Sequence, residues 1–181
     1  MAPIIASDSG SKDFDPAPAG AHFAVCCDVV DLGMVTTSYE GKESKRRMVR
    51  LAFQLNEASG LRDDGKRWLV TKSMTLSLHE KAALRAFGEA WRGKSFTEEE
   101  LKGFDVENML GACCQLLLLH EKGKNDRIYA NIKTVMPFPK GMTKFAPVGY
   151  VRVQDRPKDG VDDPTAHDDG APPPTDDDAP F

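Results

Sequence analysis

Five segments of this chain have the apolar pattern of β-strands, and a single helical segment separates the third from the fourth. The clearest strand is residues 48–55, in which side chains alternate with the period of two expected of a half-buried strand. Its apolar face consists of Val49, Leu51, Phe53 and Leu55. The other four strands are predicted at residues 21–29, 66–75, 113–120 and 127–136.

The order of these elements predicts an all-β fold with a helical insertion. Three strands, a helical segment and two further strands is the order of an OB-fold, a five-stranded and partly open Greek-key barrel. A small β-sandwich and an α+β domain are the alternatives, and the position of the helical segment favours the barrel. No internal repeat is visible.

Three details of the strands are also predicted. The first strand is expected to bury Phe23, Val25, Cys27 and Val29. The fourth strand is almost wholly apolar and is expected to be buried on both faces. Residues 36–47 are polar and basic, so they are expected to form a loop, whereas Asp63-Asp64-Gly65 predicts a turn.

The helical segment has recognisable start and stop signals. Ser77 and Glu80 have the spacing of a capping box, and Leu84, Phe87 and Trp91 follow at helical spacing before a stop at Gly93. A second capping box is predicted at Thr97 and Glu100, and Asp105 is expected to cap a third short turn.

Charge is segregated along the chain, whose 24 basic and 28 acidic residues give a net charge of −4. Residues 155–181 have nine Asp against Arg156 and Lys158, a net of −7, whereas residues 21–154 have 21 basic and 16 acidic residues, a net of +5. A basic body with an acidic tail favours a nucleic-acid-binding chain.

Composition also predicts the domain organisation. Residues 155–181 contain six of the twelve prolines and no Leu, Ile, Met, Trp, Tyr or Cys. Such a segment cannot bury enough apolar surface to offset its ordering entropy, so it is predicted to be disordered. Residues 1–19 are predicted to be a flexible arm, and residues 20–154 a single OB-fold domain.

Several protein classes are excluded by the sequence. The longest aliphatic run, residues 116–119, is far shorter than the roughly 20 residues of a membrane helix, and the N-terminus lacks the features of a secretory signal. Cys26-Cys27 and Cys113-Cys114 are adjacent pairs, and neighbours on a strand point to opposite faces, so neither pair can chelate a metal. The sequence therefore predicts a cytoplasmic protein with reduced, buried thiols and without a membrane, metal or cofactor.

Two basic clusters fall on the connections that flank the nucleic-acid groove of an OB-fold. The connection between the first two strands contains Tyr39, Lys42, Lys45, Arg46 and Arg47. The connection between the last two contains Lys122, Lys124 and Arg127. Any one of these residues is explained by an ordinary solvated loop, but two clusters beside one groove favour phosphate binding.

Strand residues between the clusters complete the predicted site for single-stranded DNA. Together with Tyr39 in the first cluster, Trp68 and Tyr129 are candidates for base stacking, which is worth roughly 1–3 kcal/mol per base. The cations predicted beside them are Arg50, Arg67, Lys72 and Lys133. The alternatives are that Trp68 belongs to the core and that Arg50 faces water. A later basic-aromatic stretch, Lys140, Lys144, Phe145, Tyr150 and Arg152, either extends the groove or contacts a neighbouring subunit of a homo-oligomer.

No pattern predicts catalysis. The four His residues have no Ser, Cys or acid at a recognisable spacing, and neither GxxxxGK[ST] nor GxGxxG is present. Glu98-Glu99-Glu100 stands at a predicted helix N-terminus, where negative charge complements the helix dipole. The protein is therefore predicted not to be an enzyme, with a metal-dependent nuclease as the minor alternative.

The last residues, Asp176, Asp177, Asp178, Ala179, Pro180 and Phe181, resemble the C-terminal tip of bacterial single-stranded DNA-binding proteins. In that family an acidic run ending in Pro-Phe recruits replication, recombination and repair enzymes. The resemblance therefore implies that this tip binds partner enzymes. Ala179 departs from the family, which usually has a larger aliphatic residue there.

The body resembles the single-stranded DNA-binding proteins encoded by bacteriophages. The stretches that carry this resemblance are residues 77–81, 91–96, 104–106 and 129–132. It implies an OB-fold that binds single-stranded DNA without sequence preference, in the host cytoplasm. The alternative from another class is a protein-interaction adaptor whose basic loops only increase solubility.

Overall fold

The computed structural model describes residues 15–123 and 126–157. The protein is mostly β, with five strands and two short α-helices: β1 (Gly20–Tyr39), β2 (Lys42–Leu55), β3 (Leu69–Thr75), α1 (Ala83–Arg92), α2 (Glu98–Lys102), β4 (Cys113–Lys122) and β5 (Ile128–Pro137). The predicted order of three strands, a helical segment and two strands is confirmed. Most of the predicted arm, residue 124 and the predicted tail from residue 158 onward lie outside the described residues.

The strands form one antiparallel sheet in the order β3-β2-β1-β4-β5. The sheet curves until its two outer strands approach each other. Lys72 on β3 donates a hydrogen bond from Nζ to the carbonyl oxygen of Ile132 on β5, at 3.2 Å. Helix α1 contacts both outer strands and lies against the core side of the sheet.

The core lies on one face of this curved sheet. The predicted inward face of β2 is confirmed, because Val49, Leu51, Phe53 and Leu55 are all buried. Helix α1 contributes Leu84, Phe87 and Trp91, the three residues predicted at helical spacing. The Phe53 ring centroid lies 5.5 Å from that of Trp91, and the Trp91 indole N–H donates to the Cys113 carbonyl oxygen at 3.0 Å.

Val25, Cys27 and Val29 are buried as predicted and Phe23 is half-buried, but over the first half of β1 this face does not meet the core. The core receives Ala24 and Cys26, and then Val29. A β-bulge between Cys26 and Asp28 inserts one extra residue, and one extra residue reverses the alternation of a strand. Every residue from 24 to 29 is buried, so the sequence offers no contrast between the two faces.

The loop predicted over residues 36–47 is also wrong, because β1 and β2 pair continuously up to Tyr39 opposite Lys42. Only Glu40 and Gly41 form the turn, with φ angles of 47° and 77°. Two successive positive φ angles match the type I′ turn preferred by two-residue hairpins. The segment has no apolar alternation because neither of its faces is buried, one being half-buried and the other exposed.

Two of the predicted helix signals are confirmed and one is wrong. Helix α1 begins at Ala83 without a side-chain cap, and the Ser77 hydroxyl instead accepts a hydrogen bond from the His79 amide, so the first capping box is wrong. The stop at Gly93 is confirmed by its left-handed φ of 67°. The second capping box, Thr97 with Glu100, is confirmed at the start of α2.

Two smaller predictions can also be checked. Asp105 caps a 3₁₀ turn at Val106–Met109, as predicted, by accepting a hydrogen bond from the Glu107 amide. Strand β4 is not buried on both faces throughout, since Leu119 is 39% exposed. Of the predicted arm, residues 15–19 are described and pack against the domain, because Ala17 is buried and its carbonyl oxygen bonds to His120.

Residues 138–157 follow β5 and cross the outer face of the sheet, opposite the core; we call this segment the strap. The Gln54 side chain exchanges two hydrogen bonds of 2.9 Å with the backbone of Val148. The Cys113 thiol donates to the carbonyl oxygen of Phe145 at 3.3 Å. The strap therefore covers the beginning of β4, the middle of β1 and the end of β2, which explains why both faces of β1 are buried there.

Within the described residues, no helix has the length and apolar character needed to cross a membrane.

Candidate nucleic-acid interface

The first predicted basic cluster lies on a two-stranded ribbon that extends beyond the rest of the sheet. We define the ribbon as residues 33–39 of β1 and 42–47 of β2. Strand β4 pairs with β1 only from Gly20 to Val25, and β3 pairs with β2 only from Met48 to Gln54. At roughly 3.3 Å per residue the ribbon is roughly 20 Å long. None of its residues is buried.

Strand register divides the predicted cluster between the two faces of the ribbon. Directly opposed residues of an antiparallel pair share a face. The pairs Tyr39–Lys42 and Val35–Arg46 lie on the face that continues onto the outer side of the sheet, which we call the outer face. Lys45 lies on the opposite face, beside Thr36. The sequence grouped these residues by proximity along the chain, which does not distinguish the two faces.

Arg47 also lies on the opposite face, and it pairs with an acid. Its guanidinium donates to both carboxylate oxygens of Asp31, at 3.3 Å from Nε and 2.5 Å from Nη2. This hydrogen bonding lowers the pKa of Asp31 and raises the pKa of Arg47. Both side chains are exposed, so the pair shields the charge of Arg47 without burying it.

The outer face of the ribbon continues directly onto the sheet at Arg50. Arg50 is half-buried, and its Nε donates to the Ser73 hydroxyl on β3 at 3.3 Å. Lys42, Arg46 and Arg50 are four residues apart on one strand, so they repeat roughly every 13 Å along one face. With Tyr39 at the tip, the outer face presents a line of cations and one exposed ring.

The structure does not bring Arg67, Trp68 and Lys72 into this line. Arg67 has a side chain only 13% exposed, and it donates to the Ala146 carbonyl oxygen and to Glu57 while lying 5.5 Å from the Phe145 ring centre. Trp68 packs against the core, and Lys72 is directed across the core side toward β5. The predicted groove in which Trp68 and Lys72 lie together is therefore not present.

The second predicted basic cluster lies at the far end of the sheet from the ribbon tip. Lys122 forms an exposed ion pair with Asp126 at 3.0 Å, Arg127 is exposed, and Lys124 lies outside the described residues. Tyr129 is half-buried and lies opposite Glu121, whereas Lys133 is exposed at a bulge in β5. These residues and the ribbon are at opposite ends of the sheet.

The strap occupies the outer face between the two ends. Lys140 and Lys144 on the strap are exposed, so they add positive charge to this surface. Phe145, Tyr150 and Arg152 instead pack inward, where Phe145 contacts Phe138 at a ring-centroid distance of 6.4 Å. The predicted open trough between the clusters is therefore filled, and the candidate interface narrows to the outer face of the ribbon and Arg50.

A buried carboxylate that sequence reasoning missed anchors the strap. Asp28 on β1 is 1% exposed and accepts hydrogen bonds from the Arg152 Nε at 3.1 Å, the Tyr150 hydroxyl at 3.0 Å and the Val153 amide at 2.8 Å. Arg152 also donates to Glu107 at 2.7 Å. The only sequence signal was one acid inside an apolar strand.

This network raises the pKa of Tyr150 and of Arg152. Burial, together with the neighbouring Asp28 charge, raises the pKa of Tyr150, and hydrogen bonding to Glu107 raises the pKa of Arg152. Tyr150 is therefore a neutral donor to Asp28, and the Arg156 guanidinium lies 5.5 Å from its ring centre. The role of this group is to hold the strap on the sheet.

The four cysteines are all free and buried, as predicted. Burial raises the pKa of Cys27 to about 12 and also raises the pKa of Cys26 and Cys114, so these thiols are not activated nucleophiles. In the part of the chain that the structure describes, no group of three or more His, Cys, Asp or Glu residues is arranged to hold a metal ion.

No protein-family model matches the chain, and no curated protein matches it either. The functional proposal therefore depends on the geometry of the described residues and on the sequence pattern.

Proposed function

We propose that this protein is a sequence-nonspecific single-stranded DNA-binding protein of the OB-fold class. The observation that carries the proposal is the outer face of the ribbon, where an exposed ring and evenly spaced cations lie along one strand pair. Cations neutralise phosphates and release counterions, and a ring stacks on a base of any sequence. Tyr39, Lys42, Arg46 and Arg50 are assigned to this role.

The OB-fold assignment is supported by strand order. Strand β1 lies between β2 and β4, and β3 approaches β5 through the bond between Lys72 and Ile132. Helix α1 stands in the chain between β3 and β4, where the OB-fold has its helix. In this class the connection between the first two strands contacts the nucleic acid, and here the ribbon takes the place of that connection.

The proposal extends to partner enzymes through the acidic end of the chain. Residues 176–181 lie outside the described residues, so their assignment depends on their resemblance to the bacterial family. The aromatic side chain of Phe181 suits an apolar pocket, and the Asp run favours approach to basic partners. We assign recruitment of replication, recombination and repair enzymes to this end.

Binding of a fluorescein-labelled oligo-dT, measured by anisotropy across a salt series, tests the proposal. The logarithm of the affinity should fall linearly with the logarithm of the salt concentration, with a slope of about −0.7 per phosphate contacted. The double variant Lys42→Ala/Arg46→Ala should make that slope shallower by about 1.4. Tyr39→Ala should weaken binding at all salt concentrations by about 1–3 kcal/mol if its ring stacks on one base.

The matched control is Lys45→Ala, which removes a cation from the opposite face of the same ribbon. This variant should leave the slope nearly unchanged. If Lys45→Ala changed the salt slope as much as Lys42→Ala or Arg46→Ala does, the contact would not be specific to the outer face. An intact protein that fails to bind oligo-dT at low salt would favour the adaptor alternative, and cleavage of the DNA with Mg²⁺ would favour a nuclease.

A further inference from the structure

The two edges of the ribbon differ sharply in charge. The β2 edge carries Lys42, Glu43, Lys45, Arg46 and Arg47 within six residues, whereas residues 33–39 of β1 carry no charged side chain. Exposed strand edges usually carry charges, prolines or bulges that prevent pairing with another chain. The β1 edge of the ribbon carries neither charge nor proline, and its only bulge lies at the base, between Asp31 and Gly33.

The β1 edge also has the composition and the free backbone groups of a pairing strand. Val35, Thr36, Thr37 and Tyr39 are strong strand formers. Among the described residues, β4 reaches β1 only as far as Val25, and the next backbone contact on that side is between Cys26 and Ala112. Alternate residues from 33 to 39 therefore direct backbone N–H and C=O groups away from β2 without a neighbouring strand. The Gly33 amide at the base of this edge donates to Asp31 Oδ1 at 2.9 Å.

We propose that a second copy of this chain pairs with this edge, antiparallel and about a two-fold axis, to make a four-stranded sheet across the two ribbons. A two-fold axis uses the same surface on both copies, so a single edge is sufficient. The regular edge runs from residue 33 to residue 39, and its midpoint is Thr36. Pairing the whole edge therefore places Thr36 opposite Thr36 of the second copy.

The side chains are self-complementary in this register. Gly33 stands opposite Tyr39 of the second copy, so each ring covers a glycine, and Val35 stands opposite Thr37. The central pair of threonines matches a favourable cross-strand combination. The axis is perpendicular to the sheet, so the outer faces of both ribbons remain on the same side.

Electrostatic repulsion between the cations of β2 favours self-pairing through the β1 edge rather than through the β2 edge. In the proposed sheet the two β2 strands are three strand spacings apart, roughly 14 Å. This separation exceeds the Debye length of roughly 8 Å at physiological ionic strength, so repulsion between them is screened. Direct pairing of two β2 edges would instead place their lysines and arginines side by side.

Cysteine crosslinking of the full-length protein, without DNA, tests the contact. Opposed residues in a sheet have Cα atoms roughly 4.5–5.5 Å apart, within disulfide range. Thr36→Cys should therefore form a disulfide-linked dimer under mild oxidation. Lys45→Cys is the matched control, because it neighbours Thr36 on the same face but lies roughly 14 Å from its mate. The four native thiols are buried and add little background.

Sedimentation equilibrium gives an independent measurement. Thr36→Lys opposes two like charges and should raise the dimer dissociation constant on the order of tenfold. Glu43→Gln adds the same unit of charge at the β2 edge and should change it little. A monomer at all concentrations, crosslinking of Lys45→Cys as strong as that of Thr36→Cys, or no effect of Thr36→Lys would overturn the inference. Because no DNA is present, these outcomes are separate from any failure to bind oligo-dT.

Discussion

Arg152→Ala should destabilise the protein because it leaves the Asp28 carboxylate buried without its cation. Asp28 is 1% exposed and Arg152 is 19% exposed, so the ion pair is largely shielded from water. Removing one partner of a buried pair typically costs about 3–5 kcal/mol. Asp28 keeps its hydrogen bonds from Val29, Tyr150 and Val153, which favours the low end, about 3 kcal/mol.

Urea denaturation of the full-length protein, followed by circular dichroism, measures this loss. A loss of about 3 kcal/mol corresponds to a fall in Tm of about 6–12 °C for a domain of this size. Hydrogen exchange at the Val148 amide, which donates to Gln54, reports whether the strap detaches before the sheet unfolds.

Two further variants distinguish the loss of the Asp28–Arg152 ion pair from other effects of Arg152→Ala. Lys144→Ala removes an exposed cation from the same strap and should change stability by less than about 0.5 kcal/mol. The double variant Asp28→Asn/Arg152→Met removes both charges and should recover part of the loss, since an uncompensated charge no longer remains buried. An Arg152→Ala variant as stable as Lys144→Ala would refute the assignment of this pair as the anchor of the strap.

Three other predictions concern stability. Gly88→Ala should lower it by about 1–3 kcal/mol despite the better helix propensity of alanine, because a Cβ would lie 2.8 Å from the Phe96 ring; chemical denaturation measures this. Thr97→Ala should cost about 1 kcal/mol by removing the cap of α2, whereas Thr97→Ser should cost little in the same assay. Hydrogen bonding to Arg47 lowers the pKa of Asp31, so the Asp31 carboxylate stabilises the folded state at pH values above its unfolded pKa. This contribution is lost as the pH falls through the folded pKa. Asp31→Asn should therefore reduce the dependence of the unfolding free energy on acid pH.

The fold could be predicted where burial differs between the two sides of an element. Strand β2 shows a clear period of two at Val49, Leu51 and Phe53 because that face meets the core. The ribbon gave no such signal, since neither of its faces is buried, and a polar strand pair has the composition of a loop. The β1 bulge at Cys26 could not be predicted either, because residues 23–27 are apolar on both faces and Asp28 is the one polar residue beside it.

The cations of the candidate site could be predicted from the sequence, but their arrangement on the two faces of the ribbon could not. The sequence identified Lys42, Arg46 and Arg50 as cations on or near the second strand, and register places them on one face. It could not separate them from Lys45 on the other face, because that separation required the ribbon to be recognised as a strand pair. The strap was missed for a different reason, since contacts such as Arg67 with Ala146 join residues 79 positions apart.

The outer face of β2 differs along its length in how far the strap covers it. Gln54 is buried against the strap, whereas Arg50, one repeat further along the same face, is only half-buried, and Arg46 and Lys42 lie on the ribbon. The strap thus covers the Gln54 end of this face, whereas Arg50 and Arg46 are half-buried and Lys42 is exposed. An isolated two-stranded hairpin without a buried face is marginally stable in water, so further contacts along the ribbon would stabilise it. In the two proposals, DNA on the outer face and a second ribbon along the β1 edge would supply such contacts from perpendicular directions, so the proposals are compatible in one assembly.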